Sequence, residues 1–322
     1  MDIYEHTDAY LRHLAMIGRS ERTQKDYATI LRKFAEFQLR RRRLVRETTQ
    51  EDLGAYVLQM RAQKLSETAI RLYTTVVRGF FLWMTDEDLI QRDPSRKLRY
   101  GHTKTRVVKI PPMPLYQTLL ESIPGTTAFD RRDRTIVSML FNTGLRVSEL
   151  CSLRVDSIDL ESGDFLVLGK GGYLRQGLVS GRALWELRWW VQRYRPLLRP
   201  STRALFVGPM GGPLGAMQIQ VMFRKRSDAA GIQGRYQYPS GATLGLLTPH
   251  SLRHLHASRL LEIGVPLPVI QASLGHLSLS STMVYLKPSQ QSLREAHSRL
   301  DASMGDDLNL LEIELDQDAM AA

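Results

Sequence analysis

The octet Thr143-Gly144-Leu145-Arg146-Val147-Ser148-Glu149-Leu150 stands well ahead of Thr248-Pro249-His250-Ser251-Leu252-Arg253-His254. Leu274-Gly275-His276 and Met283-Val284-Tyr285 follow the second motif. Together these stretches supply guanidinium, imidazole and phenol groups. Guanidinium forks hold phosphate oxygens bidentately, which lysine does less well. Imidazoles take and give protons near neutral pH, and a phenol can attack as a nucleophile. Such a set fits a phosphodiester exchange that uses no metal. Taken singly, each residue also has an ordinary structural explanation.

The local elements decide which of these groups can meet. Thr248 is a good helix cap and Pro249 suits the first helical position, so a helix is expected from there to about Ile263, stopped by Gly264. Residues three apart share a helix face, so His250 and Arg253 point together from a first turn whose free N–H groups also favour an anion. His250 and His254 are four apart, a spacing that can hold zinc on a helix. No Glu follows His250, and no cysteine or acidic cluster completes a shell, so no metal is expected. His254 is expected to pack in the core or to make a supporting hydrogen bond.

Asn142-Thr143-Gly144 breaks a helix expected to end near Phe141, which leaves Arg146 in the following turn; Val147 to Leu153 starts the next helix. Fixed arginines at 146 and 253 would neutralise the two non-bridging oxygens as charge builds on a pentacoordinate phosphorus. Residues 164–175 read as strand, glycine turn and strand, with Lys170 in the turn, within reach of a leaving oxygen. Gly275 is a natural helix terminator ahead of His276. Ser278 or Ser280 can cap a short helix carrying Tyr285, which Pro288 ends. A phenol with a reference pKa of about 10 needs nearby cations or a base to become a nucleophile.

The remaining elements must position these groups. Residues 1–98 read as a compact bundle of helices. Tyr27, Ile30, Leu31, Phe34 and Phe37 form one apolar stripe at helical spacing. Thr48 or Thr49 caps a helix through Leu53, Tyr56, Val57 and Met60. Ser66 caps another through Ala69, Leu72, Tyr73, Val76, Val77, Phe80 and Phe81. The aromatic stripes are expected in the core. Asp93-Pro94 ends the bundle, and residues 99–114, with Gly101 and three prolines, read as an extended basic linker. Residues 115–300 are again mostly helical, and a helix around Trp185, Trp189 and Trp190 is expected to pack through those aromatics. Residues 234–247 read as an irregular loop or short hairpin.

Composition narrows the partner. The 322 residues suffice for two domains, and 43% hydrophobic content suffices for a sizeable core. Cys151 is the one cysteine, which excludes an internal disulfide framework and a cysteine-based zinc site. No run of eighteen apolar residues suggests a membrane span, and the first residues lack the pattern of a signal peptide, so a cytoplasmic protein is expected. Residues 1–110 carry 22 Lys and Arg against 14 Asp and Glu, residues 111–300 carry 22 against 12, and residues 301–322 carry none against 7. A basic body is the electrostatic footprint of nucleic-acid binding, through release of condensed counterions. Arg40, Arg41, Arg42 and Arg43, the linker's Lys104 and Arg106, and Arg175 are candidate DNA contacts, which would position a duplex and not specify its sequence.

The joint order of these motifs resembles the tyrosine recombinase family, the phage integrase-like and Xer-like enzymes, over nearly the whole chain. The resemblance implies a mainly α fold with a small β-sheet: an N-terminal helical, SAM-like core-binding domain (1–98) and a catalytic domain (115–300) forming a C-shaped DNA clamp. It implies phosphate-binding roles for Arg146 and Arg253, a general-acid role for Lys170 and proton transfer supported by His250. His276 would bond the phosphate, Tyr285 would be the nucleophile, and Glu149 would support the architecture. The family often continues Gly-Lys-Gly with a polar residue and Lys-Glu-Arg. Here Gly172-Tyr173-Leu174-Arg175 keeps only the arginine.

The resemblance further implies strand cleavage through a 3′-phosphotyrosyl link without cofactor or metal, and exchange through a Holliday junction. The implied partner is double-stranded DNA with inverted half-sites, bound by a homotetramer on two sites, with an accessory or heteromeric recombinase partner open. The acidic tail 301–322, with Leu308, Leu310, Leu311, Ile313 and Leu315 among its acids, would dock on a neighbouring protomer. A start so near the core-binding helices leaves little room for a further arm-binding domain, which favours simpler Xer-like or mobile-element recombinases. A type IB topoisomerase and a non-catalytic DNA-binding regulator on the same fold are the alternatives.

Overall fold

The computed structural model describes residues 3–98, 110–169, 174–232, 236–237, 243–244, 247–275 and 298. The chain divides into two compact units, 1–106 and 107–322. Among the described residues no helix is long and apolar enough to cross a membrane.

The first unit has four helices, α1 (Ile3–Met16), α2 (Glu21–Arg40), α3 (Gln50–Ala62) and α4 (Glu67–Asp86), of which the last two start at the capping residues read from the sequence. Ser20 and Ser66 accept from backbone N–H groups three residues on, so each opens its helix with one orphan donor satisfied. Of the two threonines considered for α3, Thr49 is the cap, in a reciprocal capping box with Asp52. The aromatic stripes do face inward. Phe34, Phe80 and Phe81 are fully buried, and Phe34 meets Phe81 edge-on with ring centroids 5.8 Å apart.

All four arginines of the run are exposed, but two of them are also paired within the bundle. Arg41 Nε donates to Asp52 Oδ1 at 3.3 Å while its guanidinium lies over Phe37, and Arg43 Nε stands 4.0 Å from the same carboxylate. Two of the four arginines therefore fasten the end of α2 to the start of α3. Arg40 closes α2, and Arg42 takes a left-handed turn with φ 55°.

The second unit begins with α5 (Met113–Ser122) and is organised around α6 (Ala128–Thr143). Ile136, Val137, Met139 and Leu140 of α6 are fully buried in the larger hydrophobic core. Thr127 and Asp130 form the capping box at its start. The short α7 (Val147–Ser152) follows, then β1 (Asp164–Leu168) and β2 (Leu174–Leu178). These two strands pair antiparallel with Leu168 opposite Leu174. Phe165 and Val167 face the core while Leu166 and Leu168 face outward, as a period of two requires.

Next comes α8 (Gly181–Trp189), which runs into a π-helical turn over Trp190–Tyr194. The expected packing through three tryptophans is corrected here. Trp190 is fully buried and donates its indole N–H to Leu205 O, but Trp185 and Trp189 are exposed. Trp185 and Trp189 stand four apart and share the outer face, their rings 5.3 Å apart, with Arg193 over Trp189.

After it lie α9 (Ala216–Ala229), β3 (Tyr236–Gln237), β4 (Thr243–Leu244), α10 (Pro249–Glu262) and α11 (Leu267–Leu274). β3 and β4 pair antiparallel, so the 234–247 segment contains a short hairpin. Arg226 of α9 donates to both Asp130 and Asp133 of α6, which ties the two helices together through largely buried charge.

Candidate active site

Glu149 is where the two sequence motifs meet. α6 runs two residues past Phe141, to Thr143, and ends on Gly144 in the left-handed conformation (φ 61°). The turn delivers Arg146 to the N-terminal flank of α7 and Glu149 to its third position, so the Glu149 carboxylate accepts the Arg146 backbone N–H at 2.9 Å. The other carboxylate oxygen accepts Arg146 Nη1 at 2.7 Å. Arg175 Nη2, from β2, donates to Glu149 Oε2 at 3.0 Å, and Arg253 Nη1, from α10, stands 3.9 Å from the same oxygen.

One buried carboxylate thus gathers three guanidiniums from three elements. Burial by itself would raise the Glu149 carboxyl. The Arg146 backbone and guanidinium hydrogen bonds and the charge of Arg175 outweigh it and hold the group below the usual carboxylate range. An ion pair at about 4 Å is worth roughly 4 kcal/mol at an effective dielectric of 20. Without the carboxylate, three like charges would be left with no common counter-charge.

Arg253 is almost entirely buried. Thr248 and Ser251 form a capping box, Pro249 takes the first position, and Arg253 follows one turn later. Its Nη1 donates to Gly144 O and its Nη2 to Leu274 O, both at 2.6 Å. The guanidinium therefore bridges the carbonyl ends of α6 and α11, where the helix dipoles favour a cation.

His250 remains exposed at the opening of α10, its ring edge-on to His254 with centroids 4.3 Å apart. Loss of hydration, then the charges of Arg253 and Arg146, pull its pKa below the ordinary histidine value. The ring is accordingly neutral at pH 7 and able to accept a proton. His254 is half-buried, its ring in that contact.

Three of the six residues expected to do chemistry are described: Arg146, His250 and Arg253. Lys170, His276 and Tyr285 lie outside the described residues, as do the linker's Lys104 and Arg106 and the tail. Gly169 and Leu174 are the described residues on either side of the segment holding Lys170, and Gly275, which closes α11 in the left-handed conformation, precedes His276. No cluster of three metal-ligating side chains occurs among the described residues.

Arg175, a candidate DNA contact by sequence, has both terminal nitrogens hydrogen-bonded inside the protein, to Glu149 and, at 2.8 Å, to Ser273 O. His256 was missed by sequence reasoning. It is buried, hydrogen-bonded to the Phe141 backbone, and 3.3 Å through Nε2 from Ser273 Oγ. Burial is the chief cause that lowers its pKa to about 4, ahead of the charges of Arg253 and Arg175. The available signal was its spacing, three residues beyond Arg253 on the same face of α10.

Two arginines fixed around one carboxylate, with an imidazole nearby, are groups whose chemistry suits a tetrahedral oxyanion. That is the equipment of a phosphoryl-transfer enzyme. The family match makes the class specific. Residues 115–292 match the model of the phage integrase family, and residues 7–88 match that of the phage integrase N-terminal SAM-like domain. The chain belongs to the phage integrase family and is a tyrosine recombinase, a site-specific recombinase.

Among its relatives is the tyrosine recombinase XerC of Roseiflexus castenholzii, 30% identical over 310 residues, which cover 91% of this chain and 92% of that protein. XerC of Pseudomonas savastanoi pv. phaseolicola is 32% identical over 287 residues, 87% of this chain and 90% of that one. The fold is shared with the Tn1549 transposon integrase in complex with a circular intermediate DNA (TM-score 0.73, 19% identity, 93% of this chain and 99% of that one). It is also shared with the XerH site-specific recombinase bound to a palindromic difH substrate (TM-score 0.69, 22% identity, 87% and 80%).

Proposed function

We propose that this chain cleaves and rejoins double-stranded DNA by transesterification, with Tyr285 as nucleophile. The observation that carries the reading is the convergence of Arg146 and Arg253 on Glu149 beside a neutral His250. The two guanidiniums bind the non-bridging oxygens of the scissile phosphate. The Tyr285 oxygen attacks phosphorus, giving up its proton with His250 as the supporting base. The bond from phosphorus to the 5′ oxygen breaks, and Lys170 protonates that oxygen as it leaves. The product is a 3′-phosphotyrosyl link and a free 5′ hydroxyl, with His276 bonded to the phosphate. A 5′ hydroxyl from a partner duplex attacks the link and releases the tyrosine. Because the phosphodiester is exchanged and not hydrolysed, the step needs no energy source.

Two such rounds, through a Holliday junction, recombine two sites, each with inverted half-sites holding two protomers of a tetramer. Residues 1–98 serve as the core-binding domain and residues 115–300 as the catalytic domain. Arg40, Arg42, Lys104 and Arg106 contact phosphates, and the linker 99–114 follows the DNA between the domains. An accessory protein or a second recombinase completes the assembly where the two half-sites differ.

The test is a nicked suicide duplex of the cognate site. The native protein should become covalently attached and Tyr285→Phe should not. Native protein that forms no adduct on that site sinks the reading. Supercoil relaxation without site preference would instead favour a topoisomerase, and full biological function in Tyr285→Phe would favour a regulator.

A further inference from the structure

We infer that Arg175 is a positioning residue of the cleavage site, acting through Glu149 and the end of α11 and not through DNA. The inference rests on the proposed function above. Arg175 Nη2 donates to the Glu149 oxygen that also accepts the Arg146 backbone N–H, and Arg175 Nη1 donates to Ser273 O. One side chain therefore joins the carboxylate that holds Arg146 to the last turn of the helix that leads into His276.

The fit is close. A Cβ on Gly275 would fall 2.7 Å from Arg175 Nε, so the left-handed residue that turns the chain towards position 276 lies directly against this guanidinium. Arg175 Nε is buried and has no hydrogen-bond partner among the described residues. The neighbouring carbonyl, Leu274 O, accepts from Arg253. Two arginines thus cap adjacent carbonyls of one helix terminus, a favourable site for cations.

Arg175 is also the second residue of β2, the strand paired with β1, and Lys170 lies between the two strands in the sequence. Leu174, the residue before it, pairs with Leu168 at the hairpin's neck. The guanidinium consequently fixes the hairpin to α7 and α11 at the point where the chain departs for the lysine. Lysine at 175 could serve one of the two acceptors, but its single nitrogen lacks the fork that reaches both.

The test uses full-length Arg175→Gln and Arg175→Lys on the cognate duplex. Three readouts are needed: affinity with its salt dependence, single-turnover cleavage at saturating protein, and thermal unfolding. A misplacement of about 1 Å in a site of this kind costs up to ~100-fold in rate. Arg175→Gln should therefore cleave about 10- to 100-fold more slowly at saturation, with affinity and salt slope unchanged. Arg175→Lys, which keeps the charge and one hydrogen bond, should fold as the native protein does and cleave at an intermediate rate.

A drop in affinity with a salt slope reduced by about one, and native cleavage at saturation, would make Arg175 a phosphate contact and overturn the inference. If Arg175→Gln does not fold, Arg175→Lys decides: native cleavage by that variant equally overturns it. Native protein that forms no adduct defeats the functional reading instead, so the two failures are told apart.

Discussion

At the residue scale, the site is built of charges whose protonation the protein has fixed in advance. Hydrogen bonds from Arg146 and the charge of Arg175 hold the Glu149 carboxyl below its usual range, and loss of hydration with the charges of Arg253 and Arg146 lowers the His250 pKa. His256 carries the larger shift, to about 4, from deep within the protein. Its folded-state pKa lies below the unfolded value of about 6.5, so the unfolded chain takes up a proton first as pH falls. The stability due to the neutral ring is complete above about pH 6.5 and is lost progressively as pH drops towards 4. The loss amounts to on the order of 3 kcal/mol at 1.36 kcal/mol per pH unit. Urea unfolding in steps from pH 7 to pH 4.5 should show the native protein losing more stability than His256→Gln. Parallel slopes for the two proteins would contradict this account.

At the element scale, the site depends on where helices stop. Gly144 is needed twice: its φ is 61°, and an added Cβ would lie 2.6 Å from the His256 ring and 3.0 Å from Leu274 Cδ2. Gly144→Ala should therefore cost about 1–3 kcal/mol from the left-handed backbone alone, with the clash added. A melting temperature unchanged from native would argue against it. Much of this was readable in the sequence, because caps and stops are local chemistry. Thr49, Ser66 and Thr248 announce helix starts, and Gly144 and Gly275 announce ends. The fates of Arg175 and the tryptophans were not readable. Arg175 and Ser273 meet across 98 residues of sequence, a distance no local pattern encodes. Spacing places Trp185 and Trp189 on one face of α8, but only the fold decides that the face is the outer one. His256 was legible only by its spacing, three residues beyond Arg253 on the same face of α10.

At the scale of the whole molecule, the chain pairs a basic body with an acidic end. Residues 301–322 hold seven acids, no Lys or Arg, and interspersed leucine and isoleucine. A segment of that composition suits docking on a basic neighbour better than contact with DNA. Deleting residues 304–322 should leave binding to a single site intact and impair recombination between two, measured by mobility shift and by product yield. Recombination at the native level would remove the tail from the mechanism. The anchors of the buried arginines also bear on how such a molecule can diverge. Gly144, Ser273 and Leu274 all present main-chain carbonyls to them, and every residue type carries a carbonyl. Side chains at the acceptor positions 273 and 274 can therefore drift without deleting a single anchor, provided the backbone keeps its path.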